Sequence, residues 1–548
     1  MITKYTKMIK KLICLVLIAS TLLSLCACKK DGNDEGENGD GNQDVLTPMV
    51  DPIDDNYRTF YQIFVGSFSD SSRDGIGDLQ GIIDRFDYLN DGNVNSDTSL
   101  GVQGIWLSPI FSSPSYHKYD VKDYYQIDWR FGTEETLKEL IDLCHERNVK
   151  IILDLVINHT SSQHPWFLEF KEARMNCDED NKYYDYYTAV TTEEKVNGRT
   201  YQKIAGVDCW YECNFSGDMP ELNFDNPEVK EEMVNVAKYY LDLGIDGFRF
   251  DAVKYIYFGD TESSVKFWEW YMDELVKIKS DIYCVGECWS GESEILDYYS
   301  AMNCFNFAMS QAEGVAASAA KGVGDIAKFT KYVESYQAKV QAKNPDSMAI
   351  SFLSNHDMDR IAGSFITENN MRMAANLYLL SPGSPVIYYG EEIGMRGSRG
   401  AANTDANRRL AMLWGDGDEV NNPIGSTYPD DKQIQTTVVD QTEDENSLYN
   451  YYCKLIAIRH KYPAIARGLY KSVSTGEKNL GGFLIEYEGK KIVLIHNNSS
   501  DEISVDISDI KGLDGFTITD VLDYIGVGTA SIEGDTLTVG PHTSVIIN

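Results

Sequence analysis

The sequence predicts an α/β protein: a closed (β/α)8 barrel, with a small domain inserted after the third strand and an antiparallel β-sandwich at the C-terminus. Two observations predict this fold class. Short apolar runs alternate with amphipathic helical stretches through most of the chain, and an acidic residue ends several of those runs. At 548 residues the chain is long enough for a large barrel with further domains.

Eight apolar runs are the predicted barrel strands. They are YQIFVGSF (61–68), GIWLSPI (104–110), IILDLVINH (151–159), GIDGFRFD (244–251), IYCVGE (282–287), FNFA (305–308), AISFLSNHD (349–357) and PVIYYG (385–390). Helical patterns such as EETLKELIDLCHERN (134–148) lie between most of them. Eight β units separated by helices predict a closed parallel sheet, which we assign to residues 51–159 and 224–465.

Two further regions do not fit the barrel pattern. Residues 160–223 are too long for a simple connection and carry the aromatic clusters WF, YYDYY and WYEC, so we predict an inserted domain there. After about residue 465, alternating stretches such as GGFLIEYEGKKIVLIHNN (481–498) replace the helical patterns. Residues 466–548 are therefore predicted to form the β-sandwich.

The first 27 residues read as a secretion signal. Four lysines precede an apolar run from Leu12 to Leu25, which is too short for a comfortable membrane span. The run ends in Leu25-Cys26-Ala27-Cys28, which resembles the bacterial lipobox, in which the last cysteine is lipidated and becomes the new N-terminus. We therefore expect an extracytoplasmic protein, anchored to the bacterial cell membrane or cell surface through lipid on Cys28 alone. The alternative is an ordinary signal peptide cleaved nearby.

Composition excludes some partners and leaves others open. Residues 28–50 include the stretch KKDGNDEGENGDGNQD, which has no aliphatic side chain to bury and is predicted to be a flexible tether. The 85 acidic residues outnumber the 49 basic ones, and such a surface repels the phosphates of nucleic acids. No CxxC or Cys/His cluster indicates zinc, although Cys209 and Cys213 could pair as a disulfide.

Four acidic residues fall at or just beyond the ends of predicted strands: Asp154, Asp251, Glu287 and Asp357. In a parallel barrel the carboxyl ends of the strands meet at one face, so these side chains should share a site. Side chains alternate along a strand, so Arg249 and Asp251 should point to the same side.

Paired carboxyl groups in one pocket can cut a glycosidic bond by double displacement. One group attacks the anomeric carbon while the other donates and later retrieves a proton, so their pKa values must differ. Arg249 next to Asp251 would keep that carboxylate ionised. Glu287, at the end of an apolar strand, has the drier surroundings that keep an acid protonated.

Six motifs, in order along residues 57–465, carry a resemblance to a known family. DLVINH (154–159), GFRFDAVKY (247–255), VGECW (285–289) and FLSNHD (352–357) resemble the four signature regions of the α-amylase family of glycoside hydrolases. MPELN (219–223) and GSPVIYYGEEIG (383–394) resemble further conserved regions of that family.

The resemblance implies a role for each matching residue. Asp251 would be the nucleophile and Glu287 the general acid/base. Asp357 would be the acid that binds sugar hydroxyl groups at the transition state. The residues implied in substrate binding are His117, Tyr119, Asp154, His159, Arg249, Lys254, His356 and Arg360.

Two positions bear on the substrate. Tyr116 stands where chain-end-acting oligosaccharide glucosidases of the family usually carry an aspartate that holds the terminal sugar. Ala252 stands where relatives that prefer α-1,6 bonds tend to have valine. Both departures argue for cleavage within an α-1,4-linked chain.

The loop DSSRDGIGD (70–78) places oxygen donors at alternate positions. These are Asp70, Ser72, Asp74, the carbonyl of Ile76, and Asp78. Calcium prefers such oxygen cages, and the loop also resembles the metal loop of oligosaccharide glucosidases. We predict a structural calcium ion there; the alternative is an acidic turn that caps the next helix.

The sequence thus predicts a retaining hydrolase that cleaves internal α-1,4 bonds of starch, maltodextrins and malto-oligosaccharides, most similar to lipoprotein α-amylases between the neopullulanase and oligo-1,6-glucosidase groups. The alternative enzyme activities are those of a 4-α-glucanotransferase, a neopullulanase or an exo-α-glucosidase acting on oligosaccharides. An alternative of another class is a non-catalytic glucan-binding surface protein, against which stands the presence of all three catalytic acids.

Overall fold

The computed structural model describes residues 55–322 and 325–548. The predicted signal peptide, the lipidation site Cys28 and the predicted tether lie outside these residues, so they stay predictions. No helix within the described ranges combines the length and the apolar character needed to cross a membrane.

Eight parallel strands form the barrel, numbered β1 to β8 in chain order. They are β1 Phe60–Ile63, β2 Gly104–Leu107, β3 Lys150–Leu155, β4 Gly247–Phe250, β5 Tyr283–Gly286, β6 Asn303–Phe305, β7 Ala349–Ile350 and β8 Val386–Tyr388. Their order in the sheet is β7-β6-β5-β4-β3-β2-β1-β8. The N–H of Val386 donates to the carbonyl of Ser351 (2.8 Å), which joins β8 to the end of β7 and closes the ring.

Each barrel strand overlaps one predicted run, so the predicted fold class is confirmed. The seventh strand differs most in length from its predicted run. The run covers residues 349–357, whereas β7 ends at Ile350. Residues 351–357 form loop and turn instead, and this segment carries the motif FLSNHD to the barrel rim.

Helices separate the strands and pack their apolar faces on the sheet. The helices are Leu79–Asp84, Phe86–Leu89, Glu134–Glu146, Pro165–Asn176, Pro227–Leu243, Thr261–Ile278, Glu292–Tyr298, Val315–Ala320, Ile326–Lys343, Glu368–Leu379, Val438–Glu443, Leu448–Lys461 and Pro463–Arg467.

Local sequence sets the bounds of these helices, as the one before β4 illustrates. The side chain of Asn226 accepts a hydrogen bond from the N–H of Glu228, and Pro227 occupies the first helical position. Gly244 ends the helix in the left-handed conformation, at φ 112°. Apolar residues at helical spacing, among them Val229 and Met233, are buried against the barrel.

Short strands follow β2 and β3. Phe111–Ser112 and Asp123–Ile127 form a two-stranded hairpin after β2. After β3, a helix is followed by a three-stranded antiparallel sheet of Ala189–Val190, Trp210–Glu212 and Tyr201–Lys203. The boundaries that we predict for the inserted domain stay predictions.

All eight described cysteines are free thiols, so the possible disulfide between Cys209 and Cys213 is not formed. The strand Trp210–Glu212 separates the two cysteines. Four residues of extended chain span about 13 Å, which is too far for a disulfide.

The C-terminal region contains two antiparallel sheets that enclose a second hydrophobic core. The five-stranded sheet consists of Leu469–Ser474, Leu480–Tyr487, Lys490–Asn497, Thr543–Ile547 and Val521–Gly526. The three-stranded sheet consists of Ile503–Asp506, Thr536–Val539 and Ala530–Glu533. Inward-facing side chains of both sheets, such as Val493 and Leu537, build this core.

Candidate active site

A cleft of about 820 Å³ opens at the carboxyl ends of the barrel strands. Asp251 directly follows β4, Glu287 directly follows β5, and Asp357 lies in the loop after β7. All three line the cleft, together with His117, Tyr119, His159 and Lys254. The structure therefore brings the three predicted catalytic acids together with four of the predicted substrate-binding residues.

Arg249 lies beneath the acids and is fully buried. Its Nη1 donates to Oδ1 of Asp154 and to Oδ1 of Asp251, both at 2.7 Å. Its Nη2 lies 3.0 Å from Oε2 of Glu287, a charge contact without hydrogen-bond alignment. Arg249 and Asp251 thus meet on one side of β4, as the alternation of the strand predicts.

A sharp turn after β4 completes this arrangement. Ala252 adopts the left-handed conformation at φ 51°, which costs a residue with a side chain some strain. Its N–H donates to Oε2 of Glu287 at 3.3 Å. The turn begins at Asp251, directly after the strand, and holds that residue beside Glu287.

The environments of two of the acids push their pKa values in opposite directions. Burial raises the pKa of Glu287 to about 8; the charges of Asp251 and Asp357 add to the rise, and Arg249 opposes it. Burial would also raise the pKa of Asp357, but His356 and Arg409 outweigh it and hold that pKa well below its usual range. At neutral pH Glu287 therefore keeps its proton while Asp357 is ionised.

His356 contacts Asp357 and is itself held by a hydrogen bond from Gln62. Gln62 Nε2 donates to its Nδ1 (2.8 Å), so neutral His356 carries its proton on Nε2. That Nε2 donates to the hydroxyl of Tyr119 (2.5 Å) and lies 2.9 Å from Oδ2 of Asp357. Burial lowers the pKa of His356, which favours this neutral form. The ring of Tyr119 stacks on the imidazole, with 5.3 Å between centroids, and its hydroxyl donates to Asp154.

Four predicted substrate-binding residues do not line the cleft. Asp154, Arg249 and His356 are fully buried behind the acids, so they position Asp251, Glu287 and Asp357.

Arg360 is the fourth predicted substrate-binding residue that does not line the cleft. It is buried away from the cleft, with Nη1 donating to the carbonyl of Tyr389 (2.5 Å) and Nε to the carbonyl of Arg408 (3.1 Å). Its guanidinium lies over the rings of Tyr388 and Tyr389. Arg360 therefore supports the wall that carries Arg408, because the turn after Asp357 directs it inward.

The sequence reading missed two arginines of that wall, Arg408 and Arg409. Arg409 donates from Nη2 to Oδ1 of Asp357 (2.7 Å) and from Nη1 to the hydroxyl of Tyr116 (3.1 Å). They lie about twenty residues beyond β8, without a motif of their own. Their position in the loop after a barrel strand was the available signal, because such loops build the site in this architecture.

The loop predicted to bind calcium is held together by its own hydrogen bonds. Asp70 accepts from the N–H groups of Arg73 (2.7 Å) and Gly75 (2.6 Å). Asp78 accepts from the N–H of Gly81 (2.6 Å) and so caps the helix Leu79–Asp84. Asp78 thus performs the capping role that we considered as the alternative.

No cluster of three or more His, Cys, Asp or Glu side chains is arranged to hold a metal ion in the described part of the chain. The remaining donors suit a hard cation by chemistry, since Asp70, Asp74 and the hydroxyl of Ser72 all offer oxygen. Calcium binding by the loop, including the predicted carbonyl of Ile76, stays a prediction.

The fold and the site together define a barrel enzyme that works with carboxyl groups at the ends of its strands. A family model described as "Alpha amylase, catalytic domain" matches residues 62–468. The chain belongs to the α-amylase family, a group of glycosidases and transferases that act on α-glucans.

Relatives of different activity align along most of the chain. Alpha-amylase 3 of Dictyoglomus thermophilum is 36% identical over 494 residues, covering 89% of this chain and 92% of that protein. The 4-alpha-glucanotransferase of Thermotoga neapolitana is 30% identical over 457 residues, covering 81% and 96%. Among solved structures, Eubacterium rectale Amy13B superposes with a TM-score of 0.82 at 34% identity, covering 91% of this chain and 96% of that one.

Proposed function

We propose that this protein is a retaining endo-acting α-amylase that hydrolyses internal α-1,4 bonds of starch, maltodextrins and malto-oligosaccharides. The observation that carries the proposal is the contact of Arg249 with both Asp251 and Glu287, in an open cleft where Glu287 stays protonated. Its similarity to alpha-amylase 3 of Dictyoglomus thermophilum supports the choice of substrate.

In the first step, a carboxylate oxygen of Asp251 attacks the anomeric carbon while Glu287 gives its proton to the departing glycosidic oxygen. The bond between that carbon and oxygen breaks, and a covalent glycosyl-Asp251 ester forms. In the second step, Glu287, now a carboxylate, takes a proton from a water molecule, which attacks the same carbon and releases Asp251. Two inversions retain the configuration.

The surrounding charges fit these two steps. Arg249 donates to Asp251 at 2.7 Å and lies 3.0 Å from Glu287, so its positive charge faces both the attacking carboxylate and the carboxylate that Glu287 becomes. The ionised Asp357 faces the cleft and would stabilise positive charge that develops on the sugar at the transition state. Arg409 and His356 hold its two carboxylate oxygens in place.

The wall of the cleft supports internal cleavage. Tyr116 lines the cleft where a residue that binds a chain end would stand, and its hydroxyl accepts a hydrogen bond from Arg409. No carboxylate occupies this position to hold the terminal sugar. A longer glucan chain can therefore extend past the reacting sugar.

Glycosyl transfer is the second candidate, and Trp289 favours it. The indole lies in the cleft, two residues beyond Glu287, with 44% of its surface exposed and its ring stacked on Phe307 at 5.4 Å. An exposed aromatic face next to the acid suits a sugar as the acceptor in place of water. The 30% identity to a 4-alpha-glucanotransferase agrees with this candidate.

A time course of products from amylose and from maltotriose separates the candidates. Rapid loss of iodine staining, with mixed short α-anomeric products, is expected of a retaining endo-amylase. Products longer than maltotriose would reassign the protein as a transferase, and glucose released singly from chain ends would make it an exo-glucosidase. Glu287→Gln should abolish turnover, whereas Glu294→Gln, which removes a nearby half-buried acid, should keep it.

Measuring maltodextrin binding alongside turnover tests the non-catalytic alternative. Binding of maltodextrin without turnover, at equal affinity in the wild type and in Asp251→Asn, would show a glucan-binding protein.

We further infer that the protein works outside the cytoplasm, held by lipid on Cys28, with a structural calcium ion in the loop of residues 70–78. The lipobox resemblance and the oxygen-rich loop support these two inferences.

A further inference from the structure

A groove of about 320 Å³ lies apart from the catalytic cleft, on the outer surface of the barrel. It runs between the hairpin strand Asp123–Ile127, the start of the helix Glu134–Glu146 and the last turns of the helix Pro227–Leu243. None of the residues that line it lines the catalytic cleft.

Aromatic rings exposed to solvent form the surface of this groove. Trp129 is 80% exposed and Tyr125 is 41% exposed, although most large aromatic side chains of the described chain are buried. The rings of Tyr125 and Tyr239 pack edge to face, with 5.3 Å between centroids. The groove therefore presents the exposed ring surfaces of Trp129 and Tyr125 in one place.

Hydrogen bonds fix the orientation of two of these rings. The hydroxyl of Tyr125 donates to Glu232 at 3.1 Å, and the hydroxyl of Tyr239 donates to Glu134. The carboxylates keep lone pairs for further donors, and the exposed residue Gln126 also lines the groove. Rings that are already oriented lose little conformational entropy when a ligand binds.

We propose that this groove is a second binding site for an α-glucan chain, which the protein uses to stay attached to its polymeric substrate. Flat rings match the apolar faces of pyranose sugars, and the carboxylate and amide oxygens match their hydroxyl groups. This inference rests on the proposed function, because the substrate supplies the ligand. The carboxylate of Glu232 and the excess of acidic over basic residues in the chain disfavour an anionic ligand, whether nucleic acid or lipid.

A short stretch of chain connects the groove to the catalytic cleft. The strand that carries Tyr125 follows the loop that brings His117 and Tyr119 to the cleft. Tyr125 lies six positions after Tyr119, so their Cα atoms are at most about 22 Å apart. A polymer held at the groove therefore keeps further segments of the same chain near the acids.

The test measures binding to starch separately from turnover. In the full chain carrying Asp251→Asn, binding to insoluble starch and migration in amylopectin-containing gels are compared with and without Tyr125→Ala and Trp129→Ala together. We expect the apparent Kd for starch to rise roughly tenfold when both rings are removed. Tyr524→Ala, which removes a ring that is 44% exposed on the C-terminal sheet, is the matched control and should change nothing.

Turnover by the otherwise unaltered enzyme separates this proposal from the proposed function. With Tyr125→Ala and Trp129→Ala, activity on maltotriose should be unchanged while activity on starch granules falls. Unchanged starch binding would overturn the groove proposal and leave the proposed function intact. A wild type that dimerises in gel filtration, with Trp129→Ala monomeric, would overturn it by showing an interface between copies. A wild type that binds starch through the groove but turns over no glucan would support the groove and reject the enzyme.

Discussion

Replacing Arg249 with methionine should destabilise the protein in a pH-dependent way. The change keeps a long side chain but removes the cation that contacts Asp154, Asp251 and Glu287 at 2.7 to 3.0 Å. Breaking a buried ion pair typically costs ~3–5 kcal/mol, because the remaining charge is left without compensation. We expect the loss to approach this size in the free energy of unfolding at pH 10.

The pH dependence follows from the shifted pKa values. Burial raises the pKa of Asp154 and of Glu287, and Arg249 opposes both rises, so both pKa values should rise further without it. An acid whose pKa is higher in the folded than in the unfolded state stabilises the fold when protonated, and this stability is lost as pH rises through the folded pKa. The cost of Arg249→Met should therefore be smaller at pH 5, where both acids hold their protons with or without Arg249, and should grow as pH rises above about 7 to 8, where the wild type releases protons that the variant keeps.

Urea unfolding at pH 5 and at pH 10 measures the effect. Adding Asp154→Asn to Arg249→Met should restore part of the stability at pH 10, because one buried charge disappears, but it should not restore activity. Lys238→Met breaks an exposed pair with Asp242 and should cost less than about 1 kcal/mol at either pH. Equal losses for Arg249→Met at the two pH values would refute the reasoning.

Three further predictions concern the acid, the loop and the N-terminus. The kcat/KM for amylose should fall about tenfold per pH unit above about pH 8, because Glu287 must hold a proton for the first step; a pH–rate profile with its alkaline limb near pH 6 would contradict this. Chelation with EGTA should lower the Tm by several degrees and added calcium should restore it, whereas Asp70→Ala should lower the Tm and make it insensitive to EGTA; no response in the wild type would exclude a structural calcium ion. Cys28→Ser should abolish labelling by a fatty-acid probe and release the protein from the membrane fraction, while Cys177→Ser, which changes an exposed cysteine, should leave both unaltered.

Much of the fold and of the acid cluster followed from local patterns. Side chains alternate between the two faces of any strand. The placement of Arg249 and Asp251 on one side of β4 could therefore be predicted from their spacing of two residues. The carboxyl ends of parallel strands meet at one face, and this rule brought Asp251, Glu287 and Asp357 together once eight runs had been recognised. The shared motifs then indicated the α-amylase family, to which the chain belongs.

The sequence by itself thus determined the barrel, its family and the three acids. The tertiary structure decided what surrounds them: Arg409 reaches Asp357 from the loop after β8, and Arg360 turns inward although it lies three residues from Asp357. The groove likewise joins Tyr125 to Tyr239, which are more than a hundred residues apart. The physical reason is that strand positions follow from local periodicity, whereas loop and helix contacts depend on packing between distant segments, which no short pattern encodes.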